Sequence, residues 1–162
     1  MANKDRPRGF EIEGQLLRED RYVAGGEIYP GDAVSQNASG QVVAASATSA
    51  LTGVAISRAS AGEDCMVADH PDQKYVIQAD EAEIDNRDDI NLNYDIVATA
   101  GDTNYEISRM ELDSSSGATT ATLPLKLLDI VRRSDNALGA QVDCIVKINN
   151  HELAGGTGTA GV

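Results

Sequence analysis

The stretch from Leu51 to Ala79, LTGVAISRASAGEDCMVADHPDQKYVIQA, constrains the fold more than any other part of the chain. It holds three short apolar runs, Gly53–Ser57, Cys65–Asp69 and Lys74–Gln78, separated by the turn-formers Ala61-Gly62-Glu63 and His70-Pro71-Asp72-Gln73. Strand side chains alternate between two faces, so Tyr75 and Ile77 share one face while Lys74, Val76 and Gln78 share the other. Val54 and Ile56 alternate in the same way. β-Branched residues bounded by Gly, Pro and Asp predict consecutive antiparallel strands with tight connections, a β-meander.

The flanking sequence repeats this pattern. Phe10 and Ile12 alternate with Glu11 and Glu13, and Leu16 resumes the apolar face beyond Gly14, as in a half-buried strand. Tyr22-Val23-Ala24 leads to Ile28-Tyr29-Pro30-Gly31, where Pro30 and Gly31 suit the central positions of a type II turn. Asn37-Ala38-Ser39-Gly40 predicts a second turn before a strand over Gln41–Ala45, and Ala44–Ala50 predicts a loop. Short strands are expected over Asp95–Ala98 and Glu106–Leu112, with Asp113–Gly117 as an exposed loop. Leu125–Arg132 is apolar on both parities apart from Lys126 and Asp129, as for a strand covered on both faces. Val142, Cys144, Val146 and Ile148 share a face in the next strand, and this second hairpin is expected to close the sheet. No run of helical period and useful length occurs. A chain of 162 residues is about one domain. The expectation is an all-β fold, a small antiparallel β-barrel or β-sandwich with extended N- and C-terminal segments. Residues 10–152 form the single β-rich domain, 1–9 a flexible basic arm, and 153–162 a Gly-rich tail, loose or ordered by a neighbouring subunit.

The residues that carry chemistry argue against most active classes. Aromatics are only 4% of the chain, with no Trp and one Phe, so small aliphatics must fill a thin core rather than line a deep ligand cavity. The net charge of -13 opposes nucleic-acid binding, which draws its affinity from Lys and Arg on phosphates. No apolar run has bilayer-spanning length, and the start MANKDRPRG lacks a signal-peptide core, so synthesis in cytoplasm is the expectation. Cys65 and Cys144 sit in strand-like runs and read as two buried thiols, with no ligand spacing for a metal around them. The acidic run Ala79–Asp89 lacks the spacing of a calcium loop and reads as solvated. His70 sits in a turn and His151 near the tail; neither has the context of a catalytic triad. The Gly155-Gly156-Thr157-Gly158 run matches no phosphate-binding pattern. Catalytic residues, cofactors and metals are therefore all expected to be absent.

Several phrases together, Tyr22-Val23-Ala24-Gly25-Gly26, Ile28-Tyr29-Pro30-Gly31-Asp32, Val67-Ala68-Asp69-His70-Pro71-Asp72-Gln73, Leu92-Asn93-Tyr94-Asp95-Ile96 and Ile148-Asn149-Asn150-His151, resemble small structural proteins from the head-gene clusters of tailed bacteriophages. The resemblance spans most of the chain in texture and word order. It implies a capsid decoration, or cement, protein: a non-catalytic β-rich module, commonly a homotrimer, bound to the outside of the virion across junctions of the major capsid protein. It supplies no catalytic residue. On this reading Arg6, Arg8, Phe10, His151 and Leu153 are the expected inter-subunit contacts. The alternative is a head-fibre or tail component that recognises a host surface glycan, although the aromatic-rich loops usual in such modules are missing.

Overall fold

The computed structural model describes residues 3–81, 84–155 and 158–162. Its strands are β1 (Glu11–Ile12), β2 (Glu19–Val23), β3 (Ala33–Gln36), β4 (Val42–Ala44), β5 (Gly53–Ala55), β6 (Asp64–Ala68), β7 (Lys74–Gln78), β8 (Asn93–Val97), β9 (Glu111–Ala118), β10 (Leu125–Ile130) and β11 (Asp143–Ile148). Helical structure among the described residues is limited to single 3-10 turns at Arg87–Asp89 and Glu152–Ala154. The strands form a six-stranded sheet, β1-β7-β11-β10-β8-β9, and a five-stranded sheet, β2-β6-β5-β3-β4. Every ladder between these strands is antiparallel. The fold is thus all-β, with two packed sheets and neither closed into a barrel.

Both sheets nevertheless curl until their ends nearly meet. A parallel bridge joins Ala24, just past β2, to Val42 in β4, and the Gly25 amide donates to the Val42 carbonyl at 2.8 Å. In the larger sheet Ala79, just past β7, bridges Leu112 in β9, and the Asp80 amide donates to Leu112 at 3.1 Å. Short, strongly twisted strands favour this curl. It divides the apolar interior into two cores. Ala24, Ile28, Val34, Val42, Ala55, Ala59, Cys65 and Val67 fill the five-stranded curl. A larger core takes Tyr75, Ile77, Tyr94, Leu112, Leu125, Leu127 and Val146 from the six-stranded sheet, with Ala33, Val54 and Ala68 from the other. Successive residues of β3, β5 and β6 therefore point into different cores, which is why all three residues of β5 are buried. Ala33, Val54 and Ala68 enter the large core, while Val34, Ala55 and Val67 enter the small one.

The expected meander is corrected at its third strand. β5 and β6 are antiparallel neighbours, with Val54 opposite Ala68 and Ala55 opposite Val67. β7 leaves that sheet and pairs with β1 and β11 instead. The Asp69–Gln73 turn carries the chain across. Asp69 is buried there, accepting the Tyr22 hydroxyl at 2.7 Å and meeting Arg18 Nε at 3.3 Å. Gln73 holds the Leu17 amide at 2.8 Å and the Gln15 carbonyl at 3.2 Å. Tyr75 ties the two sheets by donating its hydroxyl to the Ala68 carbonyl at 3.0 Å. Alternation within β7 is as expected, with Tyr75 and Ile77 both in the core.

Three further expectations change. The β10–β11 hairpin does not close the larger sheet but sits at its centre, with β11 between β7 and β10. β10 buries Leu125 and Leu127 but leaves Leu128 half-exposed. A register shift between Leu127 and Asp129 inserts Leu128 as a bulge, and the bulge accounts for apolar residues on both parities. The segment Asp113–Gly117, expected as a loop, is the body of β9, whereas of Glu106–Leu112 only Glu111 and Leu112 are in a strand. Serine side chains complete this edge: Ser114 donates from both its amide and hydroxyl to Asp80, and Ser116 accepts the Asp95 amide at 2.7 Å. The turn at Pro30-Gly31 forms as expected, with Gly31 at φ 93° and Asp32 N donating to Tyr29 O at 3.0 Å.

Cys65 lies in the small core and Cys144 in the large one, both free. Burial pushes both thiols above their ordinary range. Neither thiol should react with a thiol-exchange reagent in the native protein, and both should react on unfolding. Close approach of β5 to β6 makes a second prediction. A Cβ on Gly53 would fall on the Ala68 carbonyl oxygen, whereas a Cβ on Gly26 meets open space. Gly53→Ala is expected to lower the unfolding free energy by about 1–3 kcal/mol. Gly26→Ala should stay within about 0.5 kcal/mol, both read by chemical denaturation.

Candidate functional site

The N-terminal segment, expected to be a flexible arm, is docked on the six-stranded sheet from Asn3 onward. The Asn3 side chain donates to the carbonyls of Ala137 and Ala140, each at 2.8 Å, and accepts the Ala137 amide at 3.0 Å. Gln78, at the end of β7, grips the segment through its backbone: its Oε1 accepts Arg6 N at 2.7 Å and its Nε2 donates to Lys4 O at 2.7 Å. Gly9, at φ 73°, passes too close to Ser108 and the Gly31 carbonyl for any side chain. Phe10 then enters the large core, 4% exposed, its ring edge-on to Tyr75 at 5.9 Å. The expected inter-subunit role of Phe10 is therefore corrected: the single Phe of the chain is an internal anchor.

This docking creates a cleft of about 290 Å³ between the N-terminal segment and the β10–β11 connection. Lys4, Arg6, Arg8 and Arg133 line it together with Asp135 and Asp143, a local excess of positive charge in a chain of net charge -13. Asp143 is 4% exposed and braced from two sides. Its Oδ1 lies 3.4 Å from Arg8 and its Oδ2 2.6 Å from Arg133. Arg8 also meets Glu11 at 3.0 Å, and Arg133 meets Asp135 at 3.0 Å. The hydrogen bond from Arg133, followed by its charge, holds the Asp135 carboxyl below the usual carboxylate range. Lys4 and Arg6 are exposed and, among the described residues, no carboxylate lies within ion-pairing distance of either. Of the expected contacts, Arg6 and Arg8 thus come together in one place.

No family model matches this sequence, and no curated protein matches it.

The C-terminal contacts separate. His151 is 1% exposed, bridged to Leu51 and capping the last 3-10 turn by accepting the Leu153 amide at Nδ1, 3.1 Å away. Its expected place at a subunit contact is corrected to an interior one. Leu153, 46% exposed, remains on the surface. The tail was expected to be loose or ordered by a neighbour. Gly156 and Thr157 lie outside the described residues, but Gly158–Val162 is laid along this chain's own body. Thr159 donates to Asn149 at 3.0 Å and accepts from Asn93 at 2.8 Å, and the Val162 amide reaches the Asn91 carbonyl at 3.1 Å. Sequence reading missed these docking amides, Gln78, Asn93 and Asn149, because an amide gives no periodic signal. The only cue is an Asn or Gln at a strand position that apolar neighbours would bury.

The remaining candidates are structural. His70 accepts the Asp72 amide at 3.0 Å within its turn. In the acidic run, Asp80 serves β9 through Ser114. Ala82 and Glu83 of that run lie outside the described residues, and among those described no three ligating groups gather.

His151 makes the fold sensitive to acid. Burial lowers its pKa from the ordinary 6.5, against a smaller raising effect of Asp69, and its Nε2 has no hydrogen-bond partner among the described residues. Below pH 6.5 the unfolded chain takes up a proton at this position before the folded one does. The His151 contribution to stability is full above that pH and is lost as pH falls toward the folded value. Wild-type protein should lose more denaturation midpoint between pH 7 and 5 than His151→Asn, whose side chain keeps the capping acceptor. Parallel pH profiles for the two proteins would refute the assignment.

Proposed function

We propose that this chain is a decoration protein of a tailed-phage head. It binds non-covalently to the outer surface of the shell across junctions of the major capsid protein, as a homotrimer, and performs no turnover. The resemblance in word order supports the phage assignment. Three of the five phrases include a place where the chain changes direction or sheet, the Tyr29–Asp32 turn, the Asp69–Gln73 crossing and the Asn149–His151 exit from β11, and the other two include residues of β2 and β8. They encode architecture rather than a reactive centre.

The observation that carries a binding role is the division of labour among polar side chains. Those that are buried, such as Asp69, Gln73, Gln78, Asn93, Asn136 and Asn149, hold this chain's own backbone or side chains. Lys4 and Arg6, exposed cations whose side chains hold nothing among the described residues, line one cleft beside Arg8 and Arg133, whereas Lys74 and Arg87, equally exposed and unpaired there, stand apart from it. A rigid body with one charge-contrasted face suits attachment to a large repetitive surface, where many weak contacts add up.

Purified protein added to undecorated heads is expected to saturate and to form a regular lattice of copies over the shell by electron cryo-microscopy. The decorated heads should survive heating that opens bare ones. Binding at a single vertex, or none, would overturn the reading. Light scattering on the free protein should give three times the 17.1 kDa chain mass.

A further inference from the structure

We propose that the cleft beside the N-terminal segment receives an extended, carboxylate-bearing segment of a protein partner, with Lys4 and Arg6 as the charges that meet it. The inference rests on the shell-binding reading for the identity of the partner, but not for the chemistry of what the cleft takes. Three observations carry it.

Charge is the first. Four of the 13 basic residues line a cleft holding two of the 26 acidic ones, so the potential there opposes that of the rest of the surface. Screening within about 8–10 Å at ordinary salt lets such a local reversal act on a short segment despite the global charge. A long polyanion would extend into the acidic surroundings and be repelled.

Spacing is the second. Lys4, Arg6 and Arg8 are alternate residues of a segment whose Lys4 carbonyl and Arg6 amide both face Gln78, the pattern of an extended backbone. Alternate side chains of such a backbone recur every ~6.8 Å on one side. Carboxylates at every second position of an extended partner repeat at the same interval. A single phosphate would engage one point of this row and would crowd Asp143 and Asp135.

The third is the distribution of existing ion pairs. Arg8 and Arg133 are pinned by Asp143, Glu11 and Asp135 and so form a fixed wall. Among the described residues Lys4 and Arg6 are held only through their backbone, which leaves their side chains available. Charge reversal at these two positions removes no side-chain hydrogen bond found among the described residues.

The test uses the full chain and a labelled nine-residue peptide alternating Glu and Thr, followed by fluorescence anisotropy. Saturable one-to-one binding is expected. Affinity should fall at least tenfold in Lys4→Glu/Arg6→Glu, with unchanged thermal unfolding, and should fall as salt rises. A Lys–Thr peptide should not bind, and inorganic phosphate should not compete at equal charge concentration. Absence of saturable binding, equal competition by phosphate or by a single-stranded oligonucleotide, or indifference to the double reversal would each overturn the proposal. So would a change of oligomeric state in the double variant without peptide binding, which would make the cleft a contact between copies. The two readings fail separately. Peptide binding with undecorated heads would defeat the shell assignment alone. Heads decorated equally by wild type and double variant, with no peptide binding, would defeat the cleft alone.

Discussion

The central strands of the five-stranded sheet, β3, β5 and β6, bury apolar residues on both faces, and the remaining architecture answers the need to cover both. A half-buried antiparallel sheet needs one partner layer; a sheet whose alternate residues are all apolar needs two. One face of β3, β5 and β6 is covered by the six-stranded sheet. The other is covered by the same sheet's own curl, with Ile28 and Ala59 drawn in from the connections. Small residues make this geometry feasible. Ala33, Ala55 and Ala68, together with the Gly53 approach to Ala68, let strands lie between two cores without the width that larger side chains would demand.

That arrangement explains what was legible in the sequence and what was not. Period-two alternation identified β1, β7 and β11, and β-branched content with turn residues identified most of the others. Pro30-Gly31 announced its turn, and both thiols were legible as buried. Strand partners were not. Alternation in Lys74–Gln78 has the same form whether the strand stays beside β6 or crosses to β11, because the period reports which face is buried and not which neighbour supplies the hydrogen bonds. The serine run in β9 was illegible for another reason. Ser114 and Ser116 sit in a strand because Asp80 and the Asp95 amide satisfy them, a tertiary condition that propensity does not contain.

Composition marks the N-terminal segment as flexible and the tail as loose or ordered by a neighbouring subunit, and the described residues of both are docked on this chain's own body. The charged start and the Gly-rich end offer little apolar surface by which to dock. The docking is polar instead. Gln78 alone pairs a carbonyl and a nearby N–H of the N-terminal segment, while at the other end the work is divided: Asn149 accepts the Thr159 amide and Asn93 donates to the Thr159 carbonyl. A buried amide left unpaired would cost about 1–3 kcal/mol, so each of these side chains favours the docked segment strongly. Arg6 and Arg8 were legible as a cationic pair. Their union with Arg133, more than a hundred residues away, depends on Asp143 lying at the start of β11 between them.

The cleft is therefore a by-product of the same economy that orders the ends. Gripping the N-terminal segment at the Lys4 carbonyl and the Arg6 amide fixes where these two side chains point without using either of them. In a segment of alternating cations, that concentrates charge in a row along one wall. Asp143 prevents the row from becoming self-repelling, since a carboxylate between Arg8 and Arg133 neutralises the pair nearest the sheet. Charge left over sits at the outer positions, Lys4 and Arg6, where water screens it and an incoming partner can reach it. A free cationic arm would have to be ordered on binding, at an entropic cost for every residue fixed. A pre-docked one presents the same charges with that cost already met in folding, so even a modest electrostatic attraction can appear as affinity.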